Sequence, residues 1–154
     1  MEISVLAPSR SDDIAELAVR LTDEIIQRTG VKAFGSDVPR ARELCRRFME
    51  AGQYTVIAAS EEGKIVGFGA LCESHSIYAE GTFGILQEFY VAPERRSEGI
   101  GSALLAAIVA HAKERGWKRL ELCTPPIPEF DATVQFYRKN GFEITGGHKM
   151  KRAI

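Results

Sequence analysis

The first half of the chain opens with an alternating stretch and continues with two amphipathic patterns. Residues 2–7, EISVLA, alternate polar and apolar side chains, which predicts a short strand. Apolar residues then recur at helical spacing over 9–30 and again from Pro39, a residue that suits the first turn of a helix. The pattern therefore predicts one strand followed by two helices.

The middle of the chain has the pattern of a β-meander. Residues 54–60 and 64–74 flank the turn EEG as a hairpin, and 82–91 supply a third strand. Helical spacing then returns over 102–116, and alternation returns over 119–123. These stretches predict three strands, a helix and a further strand.

The last part of the chain predicts a helix over 131–141 and a final strand over 142–152. The predicted order is thus β-α-α-β-β-β-α-β-α-β. We expect a single α+β domain spanning 1–154, in which a mixed, mostly antiparallel central sheet is flanked by about four helices.

Composition is that of an ordinary globular domain, with 45% hydrophobic and 27% charged residues. Twenty basic side chains nearly balance 21 acidic ones, so no overall field would recruit nucleic acid or an anionic membrane. No apolar run approaches the roughly 20 residues of a membrane span, and the N-terminus lacks the apolar region of a signal peptide. We expect a cytoplasmic protein without nucleic-acid or membrane partners.

The cysteines, Cys45, Cys72 and Cys123, are widely spaced and form no CxxC pair. Such spacing argues against a zinc motif and against a disulfide framework. We interpret them as buried thiols and expect no metal site.

The segment VAPERRSEGIGSALL, residues 91–105, joins a strand to a helix through a turn rich in arginine and glycine. The first N–H groups of a helix lack partners and lie at its positive end, so they bind anions. Gly99 and Gly101 would leave these amides uncovered, and Arg95 and Arg96 would add charge and forked hydrogen bonds to phosphate oxygens. The turn therefore predicts a phosphate site.

A plainer alternative is a tight strand-to-helix connection with solvated arginines. Two other phosphate motifs are excluded, because neither the dinucleotide pattern G-x-G-x-x-G nor the Walker ending G-K-[ST] occurs in this turn.

The residues Arg96 to Gly101 match the pattern [RQ]-x-x-G-x-[GA], preceded by FYVAPE and followed downstream by QFYRKNGF. With these motifs the chain resembles the GNAT superfamily of acyl-CoA-dependent N-acetyltransferases, strongly over roughly 82–147 and weakly before. The resemblance implies acetyl-CoA (coenzyme A) as co-substrate, its pyrophosphate held by the turn. The implied cofactor-binding residues are Phe89, Tyr90, Val91, Arg95, Arg96, Ser97, Glu98, Gly99, Ile100, Gly101 and Ser102.

The resemblance also implies direct attack of an amine on the thioester in a ternary complex. The thioester would enter a gap between the strand ending in FYV and the strand RLELC, where amides near Tyr90 and Val91 polarise the acetyl carbonyl. A free alkylamine is mostly protonated at about pH 7, so the reaction needs a base. Glu88 is the expected base, because it lies two residues before Tyr90 on the strand whose end meets the thioester. Tyr137 would act as general acid toward the departing thiolate.

Alternatives remain for these catalytic residues. Glu88 could instead be a solvated carboxylate on a strand without a catalytic role. Tyr137 could instead be a tyrosine of the hydrophobic core. Glu73 and Glu80 are weaker candidates for binding a cationic acceptor, and His75 is a further candidate base.

Two positions depart from the family pattern. Ser97 stands where a glycine is frequent and adds a hydroxyl able to bond a phosphate. Phe130 stands where many relatives have an asparagine that contacts the pantetheine, so that contact is expected to be lost or replaced.

The loops 27–40 and 74–82 are expected to shape the acceptor site. They contain Phe34, Asp37, His75, Tyr78 and Glu80. This mixed set favours a small or medium-sized amine acceptor. The alternatives are acetylation of protein lysines or N-termini, a non-catalytic acyl-CoA sensor and a nucleotide-binding module. Relatives are often dimers, so the resemblance also allows a homodimer.

Overall fold

The computed structural model describes residues 1–32, 35 and 37–154. Its helices and strands follow in the order β1 (Glu2–Val5), α1 (Ser11–Thr29), α2 (Val38–Glu50), β2 (Thr55–Glu61), β3 (Lys64–Ser76), β4 (Gly81–Val91), α3 (Ile100–Glu114), β5 (Leu120–Leu122) and α4 (Asp131–Lys139). Short 3-10 turns at Pro8–Arg10 and Pro93–Arg95 precede α1 and the glycine-rich turn.

The five strands form one sheet in the order β1-β2-β3-β4-β5. Neighbouring strands from β1 to β4 are antiparallel, while β5 pairs parallel to β4. Short connections join β2 to β3 and β3 to β4, as is usual for antiparallel neighbours, whereas α1 and α2 lie between β1 and β2. The predicted α+β class with a mixed, mostly antiparallel sheet and four helices is confirmed.

The two faces of the sheet are covered by different helices. Phe68 and Ala70 of β3 pack with Ile14 of α1 and Cys45 of α2 in one buried cluster. The intervening Gly69 faces the other way, because a Cβ there would lie 2.5 Å from Ile108 of α3. Alternate residues of a strand point to opposite faces. Helices α1 and α2 thus cover one face, and α3 covers the other.

The described chain divides into two compact units. Met1–Leu122 contains the whole sheet with α1, α2 and α3, and Cys123–Ile154 contains α4. Within the described ranges, no helix combines the length and apolar character needed to cross a bilayer.

The strand predicted over 142–152 is wrong. These residues, all of them described, form neither helix nor strand, and the apolar side chains of Ile144 and Met150 are exposed. Two consecutive glycines interrupt the alternation, and Gly147 has φ +99°, outside the range of an extended strand. Without a buried face, nothing holds this segment in a ladder.

The interpretation of all three cysteines as buried thiols is also wrong. Cys45 is buried, but Cys72 is half-buried and Cys123 is exposed. All three are free. Burial raises the pKa of the Cys45 thiol to about 11, so this cysteine stays protonated and unreactive at neutral pH.

Candidate active site

The glycine-rich turn feeds directly into α3, which begins two residues before the predicted 102–116 stretch, at Ile100. Gly99 is the N-cap residue and has φ +83°, a left-handed conformation that glycine adopts without steric cost. Ser97 also has a positive φ of 66°, which explains why glycine suits this position in the family pattern.

The start of α3 leaves backbone amides available. The first helical hydrogen bond runs from the Ala103 N–H to the Gly99 carbonyl at 3.0 Å. The amides of Ile100, Gly101 and Ser102 therefore precede the bonded ladder, and no side chain of the described residues caps the helix. These N–H groups lie at the positive end of the helix dipole and are suited to an anion.

Both arginines of the turn are bound to carboxylates. Arg95 forms a forked pair with Glu61 at 2.6 and 3.1 Å and also binds Glu98 at 2.9 Å. Arg96 forms a second forked pair with Glu24 of α1, at 2.9 and 2.7 Å. These ion pairs use every terminal nitrogen of both guanidinium groups, so phosphate binding by Arg95 and Arg96 stays a prediction.

The C-terminal end of β4 has an open edge. β5 pairs only with Gly84 to Leu86, whereas β3 follows β4 to Val91. The Ala92 N–H donates to Val66 of β3 at 2.9 Å, so by alternation the peptide group of Val91 points away from β3. The Val91 carbonyl accepts a hydrogen bond from Arg96 Nε at 2.9 Å on that side. β4 thus continues past its last pairing with β5 and has no strand partner on that side among the described residues, at the place where the resemblance predicts the thioester.

A β-bulge sets the direction of Glu88. Leu71 of β3 pairs with Leu86, but Ala70 pairs with Glu88, which leaves Gln87 as an extra residue in β4. Simple alternation would place Glu88 on the same face as Leu86, under α3. The extra residue instead moves Glu88 to the face of Ala70, where α1 and α2 pack.

The Glu88 carboxylate is largely withdrawn from water and incompletely bonded. Its Oε1 accepts a hydrogen bond from the Tyr54 hydroxyl at 3.4 Å. Its Oε2 is buried and has no hydrogen-bond partner among the described residues. Burial raises the pKa of Glu88 above its usual range, and the Tyr54 hydrogen bond opposes this only in part. Such a carboxylate has an unused acceptor atom and an increased proton affinity, the two properties of a general base.

The other candidates from the loops and strands have different surroundings. Glu73 accepts hydrogen bonds from Arg115 at 2.9 Å and Trp117 at 2.7 Å, which lower its pKa. His75 is exposed, with Nδ1 3.0 Å from the Thr82 hydroxyl, and Glu80 is exposed in the turn before β4.

Two of the remaining loop residues are described. Tyr78 donates to Glu121 at 2.8 Å. Asp37 precedes α2 as its N-cap residue, and its side chain forms no capping hydrogen bond to the described residues. Phe34 lies outside the described residues.

Tyr137 lies on α4 in the second unit and is buried. Its ring packs edge-on against Phe136 and Phe142, at centroid distances of 5.3 and 5.6 Å. Burial raises the pKa of its hydroxyl, so the group keeps its proton at any physiological pH. Phe130, which replaces the family asparagine, is buried in the same unit.

Sequence reasoning did not identify Tyr54 as a partner of Glu88. The two residues are 34 positions apart, and Tyr54 lies at the start of a predicted strand, where an aromatic residue is ordinary. The bulge that turns Glu88 toward Tyr54 has no signal in the alternation of β4. The contact between Tyr54 and Glu88 therefore depends on the register in which β3 and β4 pair.

Comparison with known proteins identifies the family of this chain. Residues 52–144 match the family described as "Acetyltransferase (GNAT) domain". A protein named uncharacterized N-acetyltransferase YhfO, from Bacillus subtilis (strain 168), is 29% identical over 112 residues, covering 73% of this chain and 74% of that protein. Aminoglycoside N(6')-acetyltransferase type 1 of Stenotrophomonas maltophilia is 33% identical over 107 residues, covering 67% of this chain and 68% of its own length.

A solved structure of the same fold contains coenzyme A. Aminoglycoside N-acetyltransferase AAC(6')-Iy in complex with CoA aligns with a TM-score of 0.73 and 18% identity, covering 99% of both chains. At this identity the structural likeness supports the fold alone. The match over most of the sheet and α3, together with the Stenotrophomonas relative, decides the family: the chain belongs to the GNAT family and is an acyl-CoA-dependent N-acetyltransferase.

Proposed function

We propose that the enzyme transfers an acetyl group from acetyl-CoA to a primary amine of a small or medium-sized acceptor, by direct attack in a ternary complex. The observation that carries this proposal is the carboxylate of Glu88. Its Oε2 is buried and has no hydrogen-bond partner among the residues described, and it lies on β4, the strand with the open edge.

The donor side of the site fits the diphosphate of coenzyme A. The amides of Ile100, Gly101 and Ser102 precede the bonded part of α3 and would bind its oxygens. The open edge of β4 at Val91 would accommodate the pantetheine arm, and the Val91 N–H would polarise the acetyl carbonyl. The donor, when bound, supplies the acetyl thioester.

Glu88 would prepare the acceptor. An alkylammonium group cannot attack until it loses a proton, and its usual pKa lies near 10. Oε2 of Glu88 has no hydrogen-bond partner in the described part of the chain and would accept that proton from an amine bound against it, and the raised pKa of this carboxyl narrows the difference from the pKa of the ammonium. A base of this kind contributes typically about 10²–10⁴-fold to the rate.

Tyr137 would complete the reaction as general acid. The resemblance assigns to this position a tyrosine whose hydroxyl faces the coenzyme A sulfur. The buried hydroxyl retains its proton, so it is able to donate to a departing thiolate. We further propose that the two compact units act as one acetyltransferase domain, since the family match, 52–144, runs across their boundary at Leu122.

The acceptor class is supported by the Stenotrophomonas relative, which is named for acetylation of aminoglycosides, small molecules with several amines. Acetylation of protein lysines or N-termini is the second candidate. A non-catalytic acyl-CoA sensor is the third, and the presence of a candidate base in Glu88 favours an enzyme over it.

Incubation of the chain with acetyl-CoA and a panel of primary amines tests the proposal. The panel contains simple alkylamines, kanamycin, a lysine-containing peptide and a peptide with a free N-terminus. We expect free thiol to appear together with a mass increase of about 42 Da, one acetyl group replacing hydrogen, on a small amine. Coenzyme A binding without thiol release from any amine would indicate the sensor. A mass increase on the peptides alone would indicate a protein acetyltransferase, and equal competition by ATP would indicate a nucleotide-binding module.

A further inference from the structure

The charges around the open edge of the sheet are unevenly compensated. Strands β3, β4 and β5 contain three carboxylates, Glu73, Glu88 and Glu121. Glu73 is bound by Arg115 at 2.9 Å, and Glu121 is bound by Arg119 at 2.8 Å. Of these three side chains, Glu88 alone has no cationic partner among the described residues.

Glu88 adjoins two aromatic side chains, and the second of these contacts a positively charged arginine. The Tyr54 hydroxyl contacts Glu88 at 3.4 Å, and the Tyr54 ring lies 5.2 Å from the ring of Phe48 on α2. The guanidinium of Arg47 lies over the Phe48 ring, 5.5 Å from its centre. Glu43, one turn earlier, is already bound by Arg40 at 2.7 Å. A continuous series of contacts thus joins four residues, which together we call the Glu88 wall: Glu88, Tyr54, Phe48 and Arg47.

Such an arrangement would discriminate between amines by their number of charges. One ammonium group gains the attraction of Glu88, and an apolar body attached to it would pack against the Phe48 and Tyr54 rings. A second ammonium group would find no uncompensated carboxylate on these strands. The exposed loop carboxylates lie away from the Glu88 wall along the chain, since Asp37 precedes the start of α2 and Glu80 precedes the start of β4. The second ammonium group would instead be repelled by the fixed charge of Arg47, although solvent weakens that repulsion at an exposed side chain.

We infer that the acceptor of this transferase carries a single ammonium group on an apolar body, and that compounds with several ammonium groups are poor acceptors. The inference rests on the proposed function and narrows it. It separates this enzyme from the Stenotrophomonas relative, whose named substrates, the aminoglycosides, carry several amines.

The test compares hexylamine with hexamethylenediamine, which share the same apolar chain and differ by one ammonium group, and adds kanamycin as a polycation. We expect kcat/KM per amine to be about three- to tenfold higher for hexylamine than for the diamine, and lowest for kanamycin. Equal values, or a preference for the diamine or kanamycin, would overturn the inference while leaving the transferase proposal intact. Absence of acetylation with every amine would remove both.

Charge reversal within the Glu88 wall identifies the origin of the preference. Arg47→Glu should raise the diamine-to-monoamine ratio of kcat/KM by about tenfold, because it replaces a repulsive charge with an attractive one. Arg46→Glu is the matched control, since Arg46 lies next along α2 but contacts Asp12 of α1 at 3.7 Å. An unchanged ratio in Arg47→Glu, or an equal rise in both variants, would contradict the assignment to this wall.

Discussion

The Tyr54 hydroxyl lies 3.4 Å from Glu88 Oε1, and this hydrogen bond links the residue before β2 to the bulged part of β4. It occupies one carboxylate oxygen and leaves the other, Oε2, unbonded among the residues that the structure describes. Tyr54 thereby fixes the orientation of Glu88 and offsets part of the effect of burial on its pKa.

Removal of the Tyr54 hydroxyl should make Glu88 a carboxyl that ionises less readily. Burial raises the pKa of Glu88 and the hydrogen bond lowers it, so Tyr54→Phe should move the acidic limb of the kcat/KM profile to higher pH. Near pH 7, kcat/KM should fall about two- to tenfold, the usual worth of one hydrogen bond. Tyr78→Phe, which removes a hydroxyl bonded to Glu121, serves as control and should leave the limb in place. A shift of the limb to lower pH in Tyr54→Phe would contradict this role.

Ionisation of Glu88 should also lower the free energy of unfolding of the protein. The folded-state pKa of Glu88 is raised above the usual 4.5, so ionisation favours the unfolded chain. Below about pH 4.5 both states are protonated and the cost is absent; as pH rises through the raised pKa the cost develops fully. The Tm of Glu88→Gln relative to the native chain should therefore increase with pH, by about 2–4 °C for each kcal/mol in a chain of this size.

Thermal unfolding between acid and neutral pH measures this difference. Glu80→Gln, at an exposed turn position, is the matched control and should show a constant difference over the same range. A difference for Glu88→Gln that stays constant or shrinks with rising pH would exclude a raised pKa at this position.

Loss of the Tyr137 hydroxyl should affect turnover rather than binding. A general acid contributes typically about 10²–10⁴-fold, so Tyr137→Phe should lower kcat by at least about a hundredfold. The ring packing against Phe136 and Phe142 is retained in this variant, and coenzyme A affinity should stay nearly intact. Steady-state kinetics and calorimetric binding separate the two effects. Strongly weakened binding with unchanged turnover would be incompatible with an acid at Tyr137.

A branched side chain at the start of α3 should block the donor site. Gly101 lies in the first turn, among the amides proposed to bind the diphosphate, so Gly101→Val should reduce coenzyme A affinity by more than about tenfold. Ala106→Val places a valine side chain at an exposed position of the same helix and should bind normally. Undiminished coenzyme A binding by Gly101→Val would mean that the donor occupies another position.

Much of the fold follows from local pattern. Helical periodicity predicted α1, α2, α3 and α4, and strand-like stretches between turn residues predicted β1 to β5. The strands did not need one buried face for this, because β1 is largely exposed whereas β2 and β3 contain runs of consecutive buried residues. The predicted strand after α4 failed because periodicity alone cannot show whether a partner exists, and its Ile144 remains exposed. The glycine-rich turn was recognisable because the backbone at position 99 has a positive φ, which favours glycine, and glycine is visible in the sequence.

The candidate site depends on features that local pattern does not contain. The bulge at Gln87 reverses the face that alternation gives to Glu88, and only the register against Ala70 reveals it. Arg96 was expected to bind phosphate, but in the fold Glu24 of α1 comes within 2.7 Å of it. Such contacts join residues far apart in sequence and arise from the packing of whole elements.

The role of Glu88 is tested most directly by the pH dependence of kcat/KM for the native enzyme and Glu88→Gln, with acetyl-CoA and the best monoamine acceptor. We expect an acidic limb in the native profile, displaced upward from the usual range of a glutamate, and its loss in the variant together with a decrease of about 10²–10⁴-fold. Glu73→Gln, whose carboxylate is already held by Arg115 and Trp117, should behave like the native enzyme. A Glu88→Gln variant that keeps both the rate and the acidic limb would contradict the assignment of Glu88 as the base.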